Sequence, residues 1–140
     1  MKAKEYLSQA YRIERILKSR QEQIARLESL ATSSGQSYGG EVHGSHDPTK
    51  GSKVENLAVQ LVELKDYVGR TSSSLIILRK QISGVIARIG DLSLEYVLEE
   101  RYLNNKTWDE ISFALGVSTR QVLRYHGRAL EMVTPYIPTS

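Results

Sequence analysis

The chain has 140 residues, enough for one compact domain with an extension or for two small ones. Charged residues make up 25% and apolar residues 40% of it, which excludes a chain that is disordered throughout. The absence of cysteine excludes disulfide bonds and thiolate metal sites. No apolar run is long enough for a signal peptide or a membrane span, so we expect a cytoplasmic protein with no membrane partner.

Residues 1–32 have the pattern of one long helix. Apolar side chains recur there at alternating steps of four and three residues, interrupted only at Arg20. No Gly or Pro occurs between residues 2 and 34. This spacing is a heptad repeat, and the usual partner of a heptad helix is another helix.

The composition changes abruptly at residues 33–52, where five glycines and five serines stand among few apolar residues. Such a composition predicts a flexible loop. His43, His46 and Asp47 lie in this loop, but no fourth ligand is near them and a glycine-rich segment orients none of them. We therefore favour a solvated loop over a metal site, and we predict no cofactor for the chain.

The heptad resumes at residues 53–90 and runs without a slip. Its positions are Leu57, Leu61, Leu64, Val68, Thr71, Leu75, Leu78, Ile82, Val85 and Ile89. The unbroken phase predicts one long helix, with room for a bend at 69–74, although a break into two helices near Ser72 is an alternative. We expect it to pair with the first helix as a long antiparallel, coiled-coil-like hairpin. Additional apolar positions beside the seam predict further packing, either between two hairpins or against the C-terminal module. A monomeric core of three or four helices is the alternative.

Residues 91–134 have the pattern of three short helices, and we expect them to fold as a domain of their own before a tail at 135–140. Thr107 and Glu110 have the spacing of a capping box, which starts a helix. Gly116 can adopt the positive φ that a tight turn requires. Ser118 or Thr119 can then cap a second helix.

The second helix of that pair has two contrasting faces. Its inner face is predicted to consist of Val122, Tyr125, Ala129 and Leu130. Arginines at 120, 124 and 128 recur every four residues and so share an outer face. An apolar face opposite a row of arginines is typical of a recognition helix in a DNA major groove, so the pattern predicts a helix-turn-helix. A plain helical hairpin with solvated arginines is the alternative.

The flanking residues carry a family resemblance over about 45 residues. LSLEYVLEERYLNNKTWDEIS before Gly116 and RALEMV after it resemble region 4, the C-terminal DNA-binding part of sigma-70-type factors. The resemblance implies that the DNA-facing residues are Ser118, Thr119, Arg120, Gln121 and Arg124. Arg128, one turn later, is expected nearer the DNA backbone. Arg120 stands where sigma factors often carry an acidic residue, so the base sequence that they read does not transfer to this chain.

The order of long helices, loop and single DNA-binding module is similar to small phage and prophage transcription regulators of the ArpU/RinA type. The resemblance implies an all-α regulator of late phage genes in a bacterial host cell, which binds double-stranded DNA and acts as an activator. Its hairpin would form a homo-oligomer or contact RNA polymerase. One alternative is a small terminase subunit, the DNA-packaging adaptor of phages. Another is a helical interaction factor that acts on polymerase without binding DNA.

Charge distribution points to more than one copy per DNA site. The whole chain carries +3, but residues 91–140 hold five basic and seven acidic side chains, a balance of −2. Phosphate contacts supply most non-specific affinity for DNA, so one such module is expected to bind weakly. No sequence pattern of a known catalytic or phosphate-binding site occurs, and we predict that the protein is not an enzyme.

Overall fold

The computed structural model describes residues 1–36 and 48–139, with side chains described at 1–32 and 53–139. All secondary structure in these residues is helical, which confirms the predicted all-α class. The helices are α1 (Ala3–Leu7), α2 (Gln9–Gln36), α3 (Pro48–Ile86), α4 (Leu92–Leu98), α5 (Trp108–Leu115) and α6 (Thr119–Val133). Short 3₁₀ turns cover Ala87–Ile89 and Thr134–Tyr136, and a π-helical turn covers Glu99–Leu103. None of the helices in this described part is both long and apolar enough to cross a membrane.

The two long helices extend further than expected, into both ends of the predicted loop at 33–52. The first ends at Gln36, and the second begins at Pro48, a residue type that is common at the first position of a helix. The remainder of the predicted loop lies outside the described residues. The candidate metal ligands His43, His46 and Asp47 lie there too.

Helix α3 is continuous through the segment at which a break was considered. It runs from Pro48 to Ile86 without interruption, so the alternative of two helices divided near Ser72 is wrong. The hydroxyl of Ser73 donates a hydrogen bond to the carbonyl oxygen of Gly69, 3.1 Å away. Bonding back to the preceding turn satisfies the hydroxyl inside the helix, so a serine-rich stretch need not end it.

The chain divides into two compact units, of which the second comprises residues 15–73. In this second unit the heptad side chains are the less exposed ones: Leu17 is buried, and Ile24, Leu27, Leu57, Leu61, Leu64 and Val68 are half-buried. Lys65 and Glu28 form an ion pair at 2.9 Å, and the Arg20 guanidinium lies 5.7 Å from the centre of the Tyr67 ring. Both members of the ion pair are exposed, so it contributes at most about 1 kcal/mol. The unit is therefore stabilised mainly by its half-buried apolar seam.

The first unit comprises residues 1–14 and 74–140 and contains the main hydrophobic core. Its buried members are Tyr6, Leu7, Ala10, Ile82, Ile86, Ile89, Leu94, Leu98, Leu103, Ala129, Val133 and Ile137. These side chains come from every helix of the unit except α5. The compact unit thus differs from the domain predicted at 91–134, because the apolar faces of α4 and α6 are covered by the N-terminal residues and by the end of α3.

The π-helical turn after α4 explains why Leu103 is buried, although regular α-helical spacing would place it away from the inner face of α4. Leu94 and Leu98 are four residues apart and share the inner face of α4, whereas Leu103 follows Leu98 by five. A π turn advances five residues for each hydrogen-bonded turn, and the backbone N–H of Asn104 indeed donates to the carbonyl of Glu99 at 3.0 Å. The extra residue in the turn therefore brings Leu103 into the core.

A polar cluster within the first unit holds the end of this turn. The Arg79 guanidinium donates to the carboxylate of Glu14 and to the carbonyl oxygen of Leu103, the latter at 2.6 Å. The side-chain amide of Asn105 donates to the other oxygen of Glu14 at 2.7 Å. Asn105 has a φ of 56°, a left-handed conformation that asparagine tolerates better than most residues. These contacts fix the point at which the chain turns from α4 towards α5.

Candidate nucleic-acid interface

Helix α5 begins with the predicted capping box. The backbone N–H of Glu110 donates to the Thr107 hydroxyl at 3.1 Å, and the Glu110 carboxylate accepts from the backbone N–H of Thr107 at 3.3 Å. The second of these bonds holds the pKa of Glu110 below its ordinary value. Without the capping box, the backbone N–H groups of Thr107 and Glu110 would be unpaired donors at the start of the helix.

Replacing Thr107 with alanine is expected to lower the free energy of unfolding by about 1 kcal/mol, because one hydrogen bond of the cap is lost. A Thr107→Ser variant, which keeps the hydroxyl, serves as the control. Urea denaturation followed by circular dichroism measures both. Equal stability of the two variants would argue that the cap contributes nothing.

The turn between α5 and α6 depends on Gly116. This glycine has a φ of 69° and a ψ of 30°, the left-handed conformation, and its N–H donates to the carbonyls of Ser112 and Phe113. The backbone N–H of Val117 also donates to the Ser112 carbonyl, at 3.2 Å, and the Ser112 hydroxyl donates to the carbonyl of Val117. Val117 packs against a small cluster formed by Val97, Ile111 and Val122. The local sequence therefore supplies both the turn and its apolar support.

Helix α6 buries one face along its full length. Val122, His126, Ala129 and Val133 are buried, while Tyr125 and Leu130 are half-buried. The predicted inner face is thus confirmed, with two members added by the structure. Spacing of four and three residues puts all of these side chains on one side of the helix.

The three arginines of α6 lie on the solvent side. Arg120, Arg124 and Arg128 are all exposed, and none of them forms an ion pair with any residue that the structure describes. Their spacing places them on successive turns, so their Cα atoms are about 6 Å apart along the helix axis, the rise of four helical residues. We call these three residues the arginine row. The row is available to bind an anion.

The other predicted site residues have structural partners at the start of α6. The hydroxyl of Ser118 caps the helix by accepting from the backbone N–H of Gln121 at 3.1 Å. The hydroxyl of Thr119 donates to the carboxylate of Asp109 at 3.1 Å. Gln121 itself is half-buried. The structure therefore places all six predicted residues on α6 or its cap. Of the six, only the arginines are both exposed and without a hydrogen bond or ion pair to another described residue.

Aromatic and basic side chains pack against the buried face of α6 around His126. The Tyr102 hydroxyl lies 2.7 Å from Nε2 of His126, and the Trp108 ring meets the His126 ring edge-on with centroids 4.7 Å apart. The Arg101 guanidinium covers the Trp108 ring at 4.2 Å. Burial, with smaller effects from Lys4 and Arg101, lowers the pKa of His126 to about 4. The imidazole is thus neutral at pH 7 and can be buried with one hydrogen bond.

The sequence pattern of the helix pair did not identify His126, Arg101 or the outer surface of α5. His126 could have been found from the buried spacing of Val122 to Ala129, since position 126 falls between them on the same face.

The described residues contain no group of three or more His, Asp or Glu side chains that could hold a metal ion. Comparisons with protein-family models, curated proteins and solved structures give no match.

Proposed function

We propose that α5, the turn at Gly116 and α6 form a helix-turn-helix that binds double-stranded DNA, with α6 in the major groove. One observation carries the proposal: the arginine row of α6 is exposed and unpaired within the described residues, while the opposite face is buried. Arginine donates two parallel hydrogen bonds to the edge of guanine or to a phosphate. Arg120 and Arg124, near the start of the helix, are assigned to bases, and Arg128 to the backbone.

The biological role that we infer is transcription regulation of the phage type, in which the protein activates late genes and one chain contributes one DNA-binding module. The acidic balance of residues 91–140 supports a requirement for more than one copy, since a single module has few phosphate contacts. Linking modules raises the effective concentration of the second one at its half-site.

We further propose that α2 and α3 pair as an antiparallel hairpin that serves this assembly or contacts RNA polymerase. Support comes from the residues of the second unit: Glu28 pairs with Lys65 and Arg20 lies over Tyr67. From the Arg20–Tyr67 contact to the Glu28–Lys65 contact, the residue number rises along α2 and falls along α3, which is the direction expected of antiparallel helices.

Replacing Arg120 or Arg124 with alanine is expected to weaken binding to the cognate site by about 1–3 kcal/mol, which is roughly fivefold to 150-fold. Discrimination against scrambled duplexes should fall as well, because base contacts are lost. Replacing Arg128 should weaken binding to every sequence alike and reduce the salt dependence by about one phosphate contact. The cognate site comes from selection on a random duplex library, and competition binding on that site measures all three variants.

Arg26→Ala is the matched control, because it removes one exposed arginine from α2 and changes the net charge equally. Its affinity should stay at the level of the unmodified chain. Unchanged affinity in the Arg120 and Arg124 variants would refute the assignment. A ring of eight or more subunits that binds DNA would favour the small terminase subunit instead, and binding to polymerase without any affinity for DNA would favour the interaction factor.

A further inference from the structure

A groove on the outer side of α5 combines apolar and acidic side chains. We name it the acidic groove; it has a volume of about 600 Å³. It is lined by Tyr96, Glu100, Lys106, Asp109, Glu110, Ile111, Phe113 and Ala114. The Phe113 side chain is 90% exposed, the most exposed of the large apolar side chains in the described part of the chain. Three carboxylates against one ammonium give this surface a net negative charge. A contiguous apolar surface with a polar rim often marks an interaction site.

The complementary surface lies on α3 of the same unit. Ile76 and Ile77 are 69% and 59% exposed, and Lys80, one turn later, is exposed and forms no ion pair with another described residue. We name these three residues the isoleucine patch. Among the residues that the structure describes, none covers most of either isoleucine or of Phe113. The chain thus exposes an apolar surface with an acidic border and another with a basic one.

We propose that the acidic groove of one copy binds the isoleucine patch of a second copy. Apolar contact between the isoleucines and Phe113 would supply the burial, and Lys80 would face the carboxylates of the groove. Opposite charges at the border favour this pairing and select its register. Because the two surfaces differ, the contact is either used twice in a two-fold dimer or repeated from copy to copy into a ring or chain. This inference deepens the assembly part of the proposed function and is independent of DNA binding.

Two charge changes test the proposal. Phe113→Lys places an ammonium group in the groove, and Lys80→Glu places a carboxylate on the patch; both positions are exposed, so circular dichroism melts should match the unmodified chain. Sedimentation velocity without DNA should show self-association of the unmodified chain, weakened when salt is raised from about 0.15 M to about 0.5 M. Each variant alone should associate at least about tenfold more weakly.

The decisive measurement is an equimolar mixture of the two variants, one of them affinity-tagged. Lys80→Glu keeps an intact acidic groove and Phe113→Lys keeps an intact isoleucine patch, so the mixture should form a complex of two copies that neither variant forms alone. Leu92→Ser is the matched control, since Leu92 is 84% exposed but lies outside both surfaces, and it should associate as the unmodified chain does.

Three outcomes would overturn the proposal: a monomeric unmodified chain, association that survives either charge change, or a mixture that associates no better than its components. Association that survives one of the two changes would mean that the surface left intact in that variant pairs with itself. The assay contains no DNA, and neither change lies on α6. Failure here is therefore distinguishable from failure of the proposed DNA binding.

Discussion

Residues 91–140 produced without the rest of the chain are expected to remain unfolded, in contrast to the expectation from sequence that they form a domain of their own. In the structure Leu94, Leu98 and Val133 are covered by side chains from α1, α2 and α3. A fragment that lacks those helices leaves the inner faces of α4 and α6 in water, and the small cluster beneath the turn is too limited to stabilise 50 residues. Circular dichroism should show little helix and no cooperative thermal transition.

A substitution in the intact chain tests the same shared core. Ile86→Ala, at a fully buried position of α3, should lower the free energy of unfolding by about 2–5 kcal/mol. Val62→Ala, on the same helix at a side chain that is 68% exposed, is the control and should change it by less than about 0.5 kcal/mol. A fragment that melts cooperatively near the temperature of the full chain, together with a mild effect of Ile86→Ala, would show that the C-terminal residues form a core by themselves.

Acid is expected to destabilise the first unit through His126. Its pKa is lowered from 6.5 to about 4 in the folded chain, so the unfolded chain binds more protons between these values. Stability therefore rises with pH across this window: the contribution is complete above about pH 6.5 and is lost as the pH falls towards 4. Urea denaturation at a series of pH values between about 4 and 7 measures the loss.

The control for the acid effect is His126→Gln. Carboxylates also titrate at the acidic end of this range, and the other two histidines of the chain are present in both proteins. Only the difference between the two pH profiles therefore belongs to His126. We expect the variant to be less stable at pH 7, because burial and the contacts with Tyr102 and Trp108 are disturbed, but also less sensitive to acid. Parallel profiles would mean that His126 titrates normally in the folded chain.

The features that could be read from sequence alone are those decided within one or two helical turns. Asp91 caps α4 by accepting from the N–H of Leu94 at 3.2 Å, and Thr107 caps α5 as predicted. Ser118, one of the two residues predicted as possible caps, caps α6. The left-handed Gly116 belongs to the same class, because its conformation follows from residues beside it. In each case the interacting atoms are at most four residues apart, so the spacing alone specifies the contact.

The heptads were also readable, since periodicity identifies the less exposed face of a helix whatever covers that face. For the candidate site, too, the sequence identified a shared helix face but not what contacts that face. The spacing of Arg120, Arg124 and Arg128 predicted a shared face, and the structure shows that this face is exposed. Binding of DNA by these arginines remains a prediction, because exposed positive charge does not identify which anion binds.

Only the tertiary structure decided what covers each face. Ile86 and Leu98 share a core although they lie on different helices, and His126 contacts Tyr102 across 24 residues of sequence. The π turn that buries Leu103 is likewise invisible to an α-helical period. The physical reason is common to all three: burial depends on which apolar surfaces meet, and that is settled by packing between distant segments rather than by local hydrogen bonds or spacing.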